Sequence, residues 1–588
     1  MRKLQGLGVS PGINIGTIVR VSSRGERIFR LRIEPGQVEQ DVERFMTALE
    51  KAREQLSRIK TRIEQALGHA HAYILDAHLL MLEDQQLVEE IKSIIRTRYI
   101  NAEWAIKMAA DRMLTVYAQI NDDYLRERGS DIEDVVNRLI TILSGNRPSR
   151  WLPQGAILVT EQILPSIVAE FNLDAVVGLA AQAGGRTSHA AIIARSLGIP
   201  AVVGLDIGVD VEAGVPAVID GNSGVLIVDP TDDVLAQYQQ RRTENERLWS
   251  LVRDRTQLPA ETRDGVKITL RANIELPSEA ETLSQYGAQG IGLFRTQYLF
   301  LPAASEPPLE EVQFNAYRQL AEACGPDGVA IRTFDWVETR VRARDYEPEV
   351  NPALGLRAIR FSLQAEHIFR AQLRAILRAA YYGQVRVVLP LISTITELRQ
   401  SRRLLHAVAE ELRAEGVPHN EDIPIGVMIE VPAAVMIADV LAREADFFSL
   451  GTNDLTQYLL AVDRDNNRVA YLYKALHPAL LRALKKTVEA AATASIPVEV
   501  CGEMASDPLH ALVLIGLGLR SLSMAPKAIP FIKDIIRLVD SQILQKTVAR
   551  ALELESAEQV EELLYQQWKD VVPALFQSRD AEVRPTEG

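Results

Sequence analysis

Gly184 to Pro200 reads GGRTSHAAIIARSLGIP, and it sets a histidine where a glycine-rich turn gives way to a helix. Ala190 to Leu197 is a short apolar helical run, ended by Gly198 and Pro200. Thr187 and Ser188 supply hydroxyls at the capping position, so His189 falls in the first turn. Unpaired backbone N–H groups and the positive end of the helix dipole attract anions there, phosphate above all. The same dipole disfavours imidazolium and keeps the ring neutral and nucleophilic. A histidine that only caps a helix fits this stretch as well, and the remainder of the chain decides between the two.

The bulk properties narrow the choice. A chain of 588 residues is too long for one core and predicts three or four domains at ~150 residues each. With 47% apolar and 24% charged residues the composition is that of a globular protein. The net charge of −13 argues against a nucleic-acid partner and favours basic ones. Two cysteines, Cys324 and Cys501, make no disulfide framework and predict a reducing cytoplasm. The opening MRKLQGLGVSPGI lacks the apolar run of a signal peptide, and the longest aliphatic stretch, near Ala511 to Leu519, is far below the ~20 residues of a membrane helix.

Working outward from His189, strand signals surround it at GAILVT (155–160), AVVGLA (175–180), PAVVG (200–204), PAVID (216–220) and GVLIVD (224–229). GVSPGINIGTIVRV near the start adds a strand and turn. Between them, from about Gln37 to Leu143, long amphipathic helical patterns run almost without glycine. The simplest arrangement is one α/β domain, residues 1–22 plus 144–230, interrupted by a helical domain at 23–143. A charged stretch at 231–258 with no clear apolar stripe predicts a solvated connecting helix able to act as a hinge arm.

Residues 259–575 are organised differently, and 576–588 form a tail. Eight short apolar runs recur, most followed by a helical pattern: 267–274, 290–295, 328–334, 385–390, 424–430, 446–454, 497–503 and 519–524. Eight β-then-α units predict a TIM barrel, so the whole is a multidomain α/β protein. Reactive residues gather at or just beyond the ends of those runs, among them Asn273, Arg332 with Asp335, Asn453 with Asp454, and Cys501 with Glu503, on the face that carries active sites in this fold. Glu430 and Asp454 end consecutive runs and place two hard carboxylates side by side, suited to Mg²⁺; capping or salt-bridging is the alternative. Arg271, Arg295, Arg332, Arg357 and Arg464 are expected at the same mouth, a guanidinium cluster for a small phosphorylated acid. Cys501 at a run's end is either a buried structural cysteine or an acid that delivers a proton to carbon. Together the parts describe a phosphorylated enol in the barrel giving its phosphoryl group to His189, with the α/β unit swinging between stations.

GGRTSHAAIIARSLGIPAVVG resembles the phosphohistidine segment of the PEP-utilising enzymes. IEVPAA, GTNDLTQYLLAVDR, LHPALLR and VEVCGEMASDP resemble the barrel motifs of the Enzyme I family, the PEP–protein phosphotransferases of the bacterial sugar phosphotransferase system. YILDAHLLMLEDQQLVEEI and NDDYLRERGSDIEDVVNRLI resemble the segment by which that family binds the phosphocarrier HPr. The resemblance implies His189 as the phosphorylated residue, attacking through Nε2, with Glu430 and Asp454 holding Mg²⁺. It implies Arg295, Arg332, Arg357, Asn453, Asp454 and Arg464 around PEP, and Cys501 as the proton donor. It further implies HPr docking on His78, Leu79, Met81, Leu82 and Glu83, with helix packing as the alternative for each, and a homodimer formed through the barrel.

One stretch departs from the family. After Arg332-Thr333-Phe334-Asp335 the chain reads WVETRVRARDYEP, without the family's glycine pair and lysine; Arg340 or Arg342 could stand in for the lost charge. That loop, 336–347, motivates a second reading: a weakly active or regulatory member acting in a phosphorelay. A dikinase would need a further nucleotide-binding domain, and neither room nor a glycine-rich nucleotide loop is present.

Overall fold

The computed structural model describes residues 1–10, 12–21, 29–67, 74–118, 123–144, 152–161, 175–183, 194, 198–207, 211–253, 255–300, 309–335, 351–464, 466, 468–569 and 571. His189 and the 336–347 loop lie outside the described residues. The chain divides into two compact units, Met1–Leu248 and Trp249–Gly588.

The first unit holds an eight-stranded mixed sheet. Its strands are β1 (Arg2–Gln5), β2 (Leu7–Ser10), β3 (Ile13–Val21), β4 (Ala156–Thr160), β5 (Val176–Ala181), β6 (Ala201–Val203), β7 (Pro216–Asp220) and β8 (Val225–Val228), in the order β1-β8-β7-β3-β4-β5-β6-β2. The near-continuous apolar runs at β4 to β8 reflect burial on both faces, each face closing its own apolar cluster. β1 and β2 follow one another in sequence yet sit at opposite edges, so Met1 to Ser10 crosses from one edge to the other. Where it passes the β7–β8 turn the backbones are too close for side chains: a Cβ at Gly221 would lie 1.9 Å from the Ser10 carbonyl oxygen, and one at Gly8 would lie 2.1 Å from that of Gly221.

Among the described residues between β3 and β4 run five α-helices: α1 (Val38–Leu67), α2 (Ile74–Glu83), α3 (Gln85–Arg98), α4 (Ala102–Ala118) and α5 (Asp123–Leu143). Their apolar stripes meet in a core that includes Phe45, Leu56, Leu82, Ile95 and Ile106. Asp41 of α1 accepts from the N–H of Ala102 at 2.6 Å and so satisfies the start of α4. His78 of α2 is 0% exposed, with its Nε2 3.2 Å from Asp134 Oδ2 on α5. Leu82 is 1% exposed and packs in the same core. Both therefore depart from the expectation that they meet a partner protein: their stripe is covered by the other helices of the insert. Leu79 and Met81 are half-buried and Glu83 is exposed.

The helix after β8, α6 (Asp232–Arg253), also differs from its sequence reading. Val234, Leu235 and the buried Tyr238 pack against Ile13, Val218, Val225 and Ile227 of the sheet, so its first turns are docked, not solvated. The middle of the helix, Gln239 to Arg247, is wholly polar, which is why the sequence shows no continuous apolar stripe.

The second unit is a closed parallel barrel of β9 (Thr269–Ile274), β10 (Ile291–Arg295), β11 (Val329–Arg332), β12 (Val385–Leu389), β13 (Ile425–Ile429), β14 (Phe447–Leu450), β15 (Val498–Val500) and β16 (Ser521–Met524). Pairing of β16 with β9, Ser521 opposite Thr269, completes the ring. All eight apolar runs read from the sequence are its strands. Side chains alternate inward and outward along each strand. Phe448 and Leu450 join the large core under the helices, whereas Leu293, Ala330, Val388, Met428, Phe447 and Cys501 meet inside the barrel.

Two stability outcomes follow from this packing. Gly221→Ala is expected to destabilise the first unit by roughly 1–3 kcal/mol in denaturant unfolding, against little change for Gly36→Ala, where an added Cβ meets nothing within 4 Å. His78→Ala is expected to cost the helical insert roughly 1–3 kcal/mol and Glu83→Ala less than about 0.5 kcal/mol. Equal effects at 78 and 83 in the same assay would contradict the burial described above.

Candidate active site

The C-terminal ends of the barrel strands bring charged side chains into one linked array. Arg332 is the last residue of β11, and its Nη1 lies 3.1 Å from Asp335 Oδ2. Arg357 precedes the helix Ala358–Gln364 and donates from Nε and Nη2 to Asp335 at 2.8–3.0 Å. The same Nη2 reaches Asp454 Oδ2 at 3.2 Å, and Nη1 donates to the Tyr458 hydroxyl at 3.0 Å. Arg464 Nη1 closes the array, 3.2 Å from Asp454 Oδ1. Arg295 ends β10 and pairs with Glu275 at 2.9 Å. Asn453 follows β14, and its Oδ1 accepts the N–H of Glu503 at 2.9 Å.

The backbone is bent to make this possible. Ala358, next to Arg357, has φ 52°, and Leu391, two residues past β12, has φ 57°; both are left-handed conformations that non-glycine residues rarely adopt. The Leu391 turn points its N–H at Glu430, donating to Oε1 at 2.6 Å. On the other side a Cβ at Gly451 would stand 2.7 Å from Glu430 Oε2, so only glycine leaves that carboxylate its place.

Electrostatics sort these groups. Burial and then the charges of Asp454 and Asp335 push the Glu430 carboxyl upward. Burial would also raise Asp335, but Arg332 and Arg357 outweigh it and hold that carboxyl low. For Arg357, burial is outweighed by Asp335 and Asp454, and the guanidinium is held charged. Cys501, 3% exposed and just past β15, has its thiol pushed up to about 12, chiefly by burial. It is a protonated acid, not a thiolate nucleophile, at neutral pH. Ser449 Oγ donates to its sulfur at 3.2 Å.

The barrel residues named from the sequence thus lie together at one mouth, with one exception. Arg271 leans the other way: its Nη1 donates to the Asp327 carbonyl at 2.6 Å, ahead of β11 and so at the N-terminal end. An inward position on a strand does not fix which end a long side chain reaches. Asp335, expected among the reactive residues at the strand ends, and Tyr458, which was not, complete the array. Tyr458 could have been found, since it stands one helical turn from Asp454 on the helix Thr452–Leu460. Among the described residues no group of three or more His, Cys, Asp or Glu side chains is gathered as a metal site, and no helix is long and apolar enough to cross a membrane.

Three family models match the chain. They are the N-terminal domain of the PEP-utilising enzymes at residues 5–128, their mobile domain at 152–224 and their PEP-binding domain at 250–541. A phosphoenolpyruvate-protein phosphotransferase of Bacillus sp. (strain S) is 38% identical over 95% of this chain and 97% of its own. Proteins of the same name from Staphylococcus carnosus and Cupriavidus necator are 37% and 36% identical over 90% and 94% of this chain, and 93% and 96% of their own. The solution structure of an Enzyme I protein (nEIt) aligns with 41% of this chain and 99% of its own at 34% identity and a TM-score of 0.35. With relatives this similar along nearly its whole length and a buried arginine–carboxylate array at the barrel mouth, the chain belongs to the PEP-utilising enzyme family and is a phosphotransferase.

Proposed function

We propose that the chain transfers the phosphoryl group of phosphoenolpyruvate to Nε2 of His189 and then to the histidine of an HPr-type phosphocarrier, releasing pyruvate as the first step of a phosphotransferase system. The observation that carries this reading is the Arg332–Asp335–Arg357–Asp454–Arg464 array beside a buried, proton-hungry Glu430. Arg295, Arg332, Arg357, Asn453 and Arg464 would bind the doubly anionic substrate, since planar guanidiniums match carboxylate and phosphate edges. Transfer breaks the bond between phosphorus and the enol oxygen and forms one between phosphorus and His189. The enolate left behind takes a proton from Cys501 at its methylene carbon.

Glu430 and Asp454 fit a divalent cation: they are two hard oxygen donors whose mutual repulsion a cation would relieve. Mg²⁺ bound there would draw substrate oxygens into the mouth and offset their negative charge. Residues 1–22 and 144–230 form the proposed phosphohistidine domain, 23–143 the HPr-binding insert, 231–258 the linker and 259–575 the barrel. Leu79, Met81 and Glu83 remain the proposed HPr contacts. Dimerisation is assigned to the barrel, on which Met436 is 65% and Tyr471 70% exposed. The proposed location is the cytoplasm.

Incubation with radiolabelled phosphoenolpyruvate and Mg²⁺ is expected to give an acid-labile label on the wild type and none on His189→Ala; an unlabelled wild type would overturn the reading. Asp454→Ala is expected to abolish labelling from phosphoenolpyruvate while His189 still accepts phosphate back from phospho-HPr, a step that uses neither metal nor barrel. Loss of both reactions in a folded Asp454→Ala protein would sink the division of labour between the units.

A further inference from the structure

We infer that Ser449 is a catalytic residue of this enzyme, its hydroxyl stabilising the thiolate that Cys501 becomes as it delivers its proton to carbon. The inference rests on the proposed role of Cys501 as proton donor.

Ser449 sits on β14 and points into the barrel with Phe447, two residues before it. It is 0% exposed, on the same inner face as the apolar side chains of Leu293, Ala330, Val388, Met428 and Phe447. A hydroxyl in such a place costs free energy unless it is well bonded, and alanine would fill the layer at no such cost. The bond it makes is to the sulfur of Cys501, at 3.2 Å. A neutral thiol is a weak acceptor, so in the resting protein this bond recovers little. A thiolate is another matter: a hydrogen bond to an ionised acceptor is roughly twice as strong as a neutral one. The contribution of Ser449 therefore grows as the proton leaves, and an interaction that strengthens along the reaction accelerates it.

The surroundings hold the sulfur for this purpose. The thiol has its own acceptor, the Leu450 carbonyl at 3.6 Å, which leaves the serine proton aimed at sulfur. The Cys501 N–H donates to the same carbonyl at 3.1 Å. The Cys501 carbonyl accepts from Asn273 Nδ2 at 2.8 Å, and Asn273 Oδ1 accepts from Ser523 Oγ at 2.6 Å. Burial pushes the thiol up to about 12, which makes the unaided group a reluctant donor, and the bond from Ser449 acts against that shift. In the step itself the S–H bond breaks, a C–H bond forms at the methylene carbon, and the electron pair stays on sulfur. The thiolate then recovers a proton from water.

Single-turnover measurements separate this role from a structural one, because phosphoryl transfer and protonation are read independently. For Ser449→Ala, phosphohistidine formation from phosphoenolpyruvate is expected to stay within about threefold of wild type, while pyruvate appearance slows by roughly ten- to a hundredfold. Ser449→Thr, which keeps the hydroxyl, is expected to regain most of the lost rate. Equal slowing of both events, or no slowing of pyruvate appearance, would overturn the assignment of Ser449 while leaving the role of Cys501 standing. Unchanged pyruvate formation in Cys501→Ala would instead overturn the reading on which the inference rests.

Discussion

The guanidinium of Arg357 is the constraint on which the barrel mouth depends. It bonds two carboxylates and a phenol at once, joining the segment after β11, the start of the helix Ala358–Gln364 and the helix that follows β14. Charges so thoroughly removed from water persist only when paired and hydrogen-bonded. Removing one partner of a buried pair costs roughly 3–5 kcal/mol, because the charge left behind has no compensation. Each arm of Arg357 thus holds the others in place, and the left-handed Ala358 beside it is the backbone distortion, of roughly 1–3 kcal/mol, that turns the side chain toward the mouth. Stability is given up here for a fixed arrangement of charge, which is what phosphoryl transfer needs.

The inner face of the barrel is graded to suit. Polar groups occupy both ends, Arg271, Arg386 and Glu499 at one and the Arg357 array at the other, with Leu293, Val388 and Met428 between. At the N-terminal end Arg386 pairs with Glu499 at 3.1 Å and lies over the Phe447 ring, a plug of matched charge. The apolar middle layer keeps Cys501 protonated, and the charged upper layer lines the mouth. The two environments meet at Cys501, the proposed proton donor.

Much of this was legible in the chain. Parallel strands buried on both faces leave continuous apolar runs, so all eight barrel strands could be read, and with them the reactive residues at their ends. Tertiary cover could not be read. The period of α2 marks an apolar stripe, but only the neighbouring α1 and α5 reveal that His78 and Leu82 lie beneath it while Glu83 does not. Arg271 failed for a related reason, since alternation along a strand says inward without saying which end. Tyr458 is an ordinary residue until the fold brings it to Arg357 across 101 positions of sequence.

The mouth also carries buried polar atoms whose bonds the described residues do not complete. Arg332 Nε, Thr333 Oγ1 and Thr452 Oγ1 have no hydrogen-bond partner among the described residues. Native proteins rarely leave such atoms unsatisfied, and each costs roughly 1–3 kcal/mol where it occurs. All three lie at or just past strand ends at the barrel mouth, Arg332 and Thr333 at β11 and Thr452 after β14. Thr452 is packed so tightly that a Cβ at Gly502, next to Cys501, would fall 1.8 Å from its hydroxyl oxygen. Glycine at 502 therefore serves Thr452 more than any turn. Donors and acceptors kept dry beside fixed guanidiniums are preorganised: their desolvation is already met in folding, so a polar anionic ligand gains their bonds without that penalty.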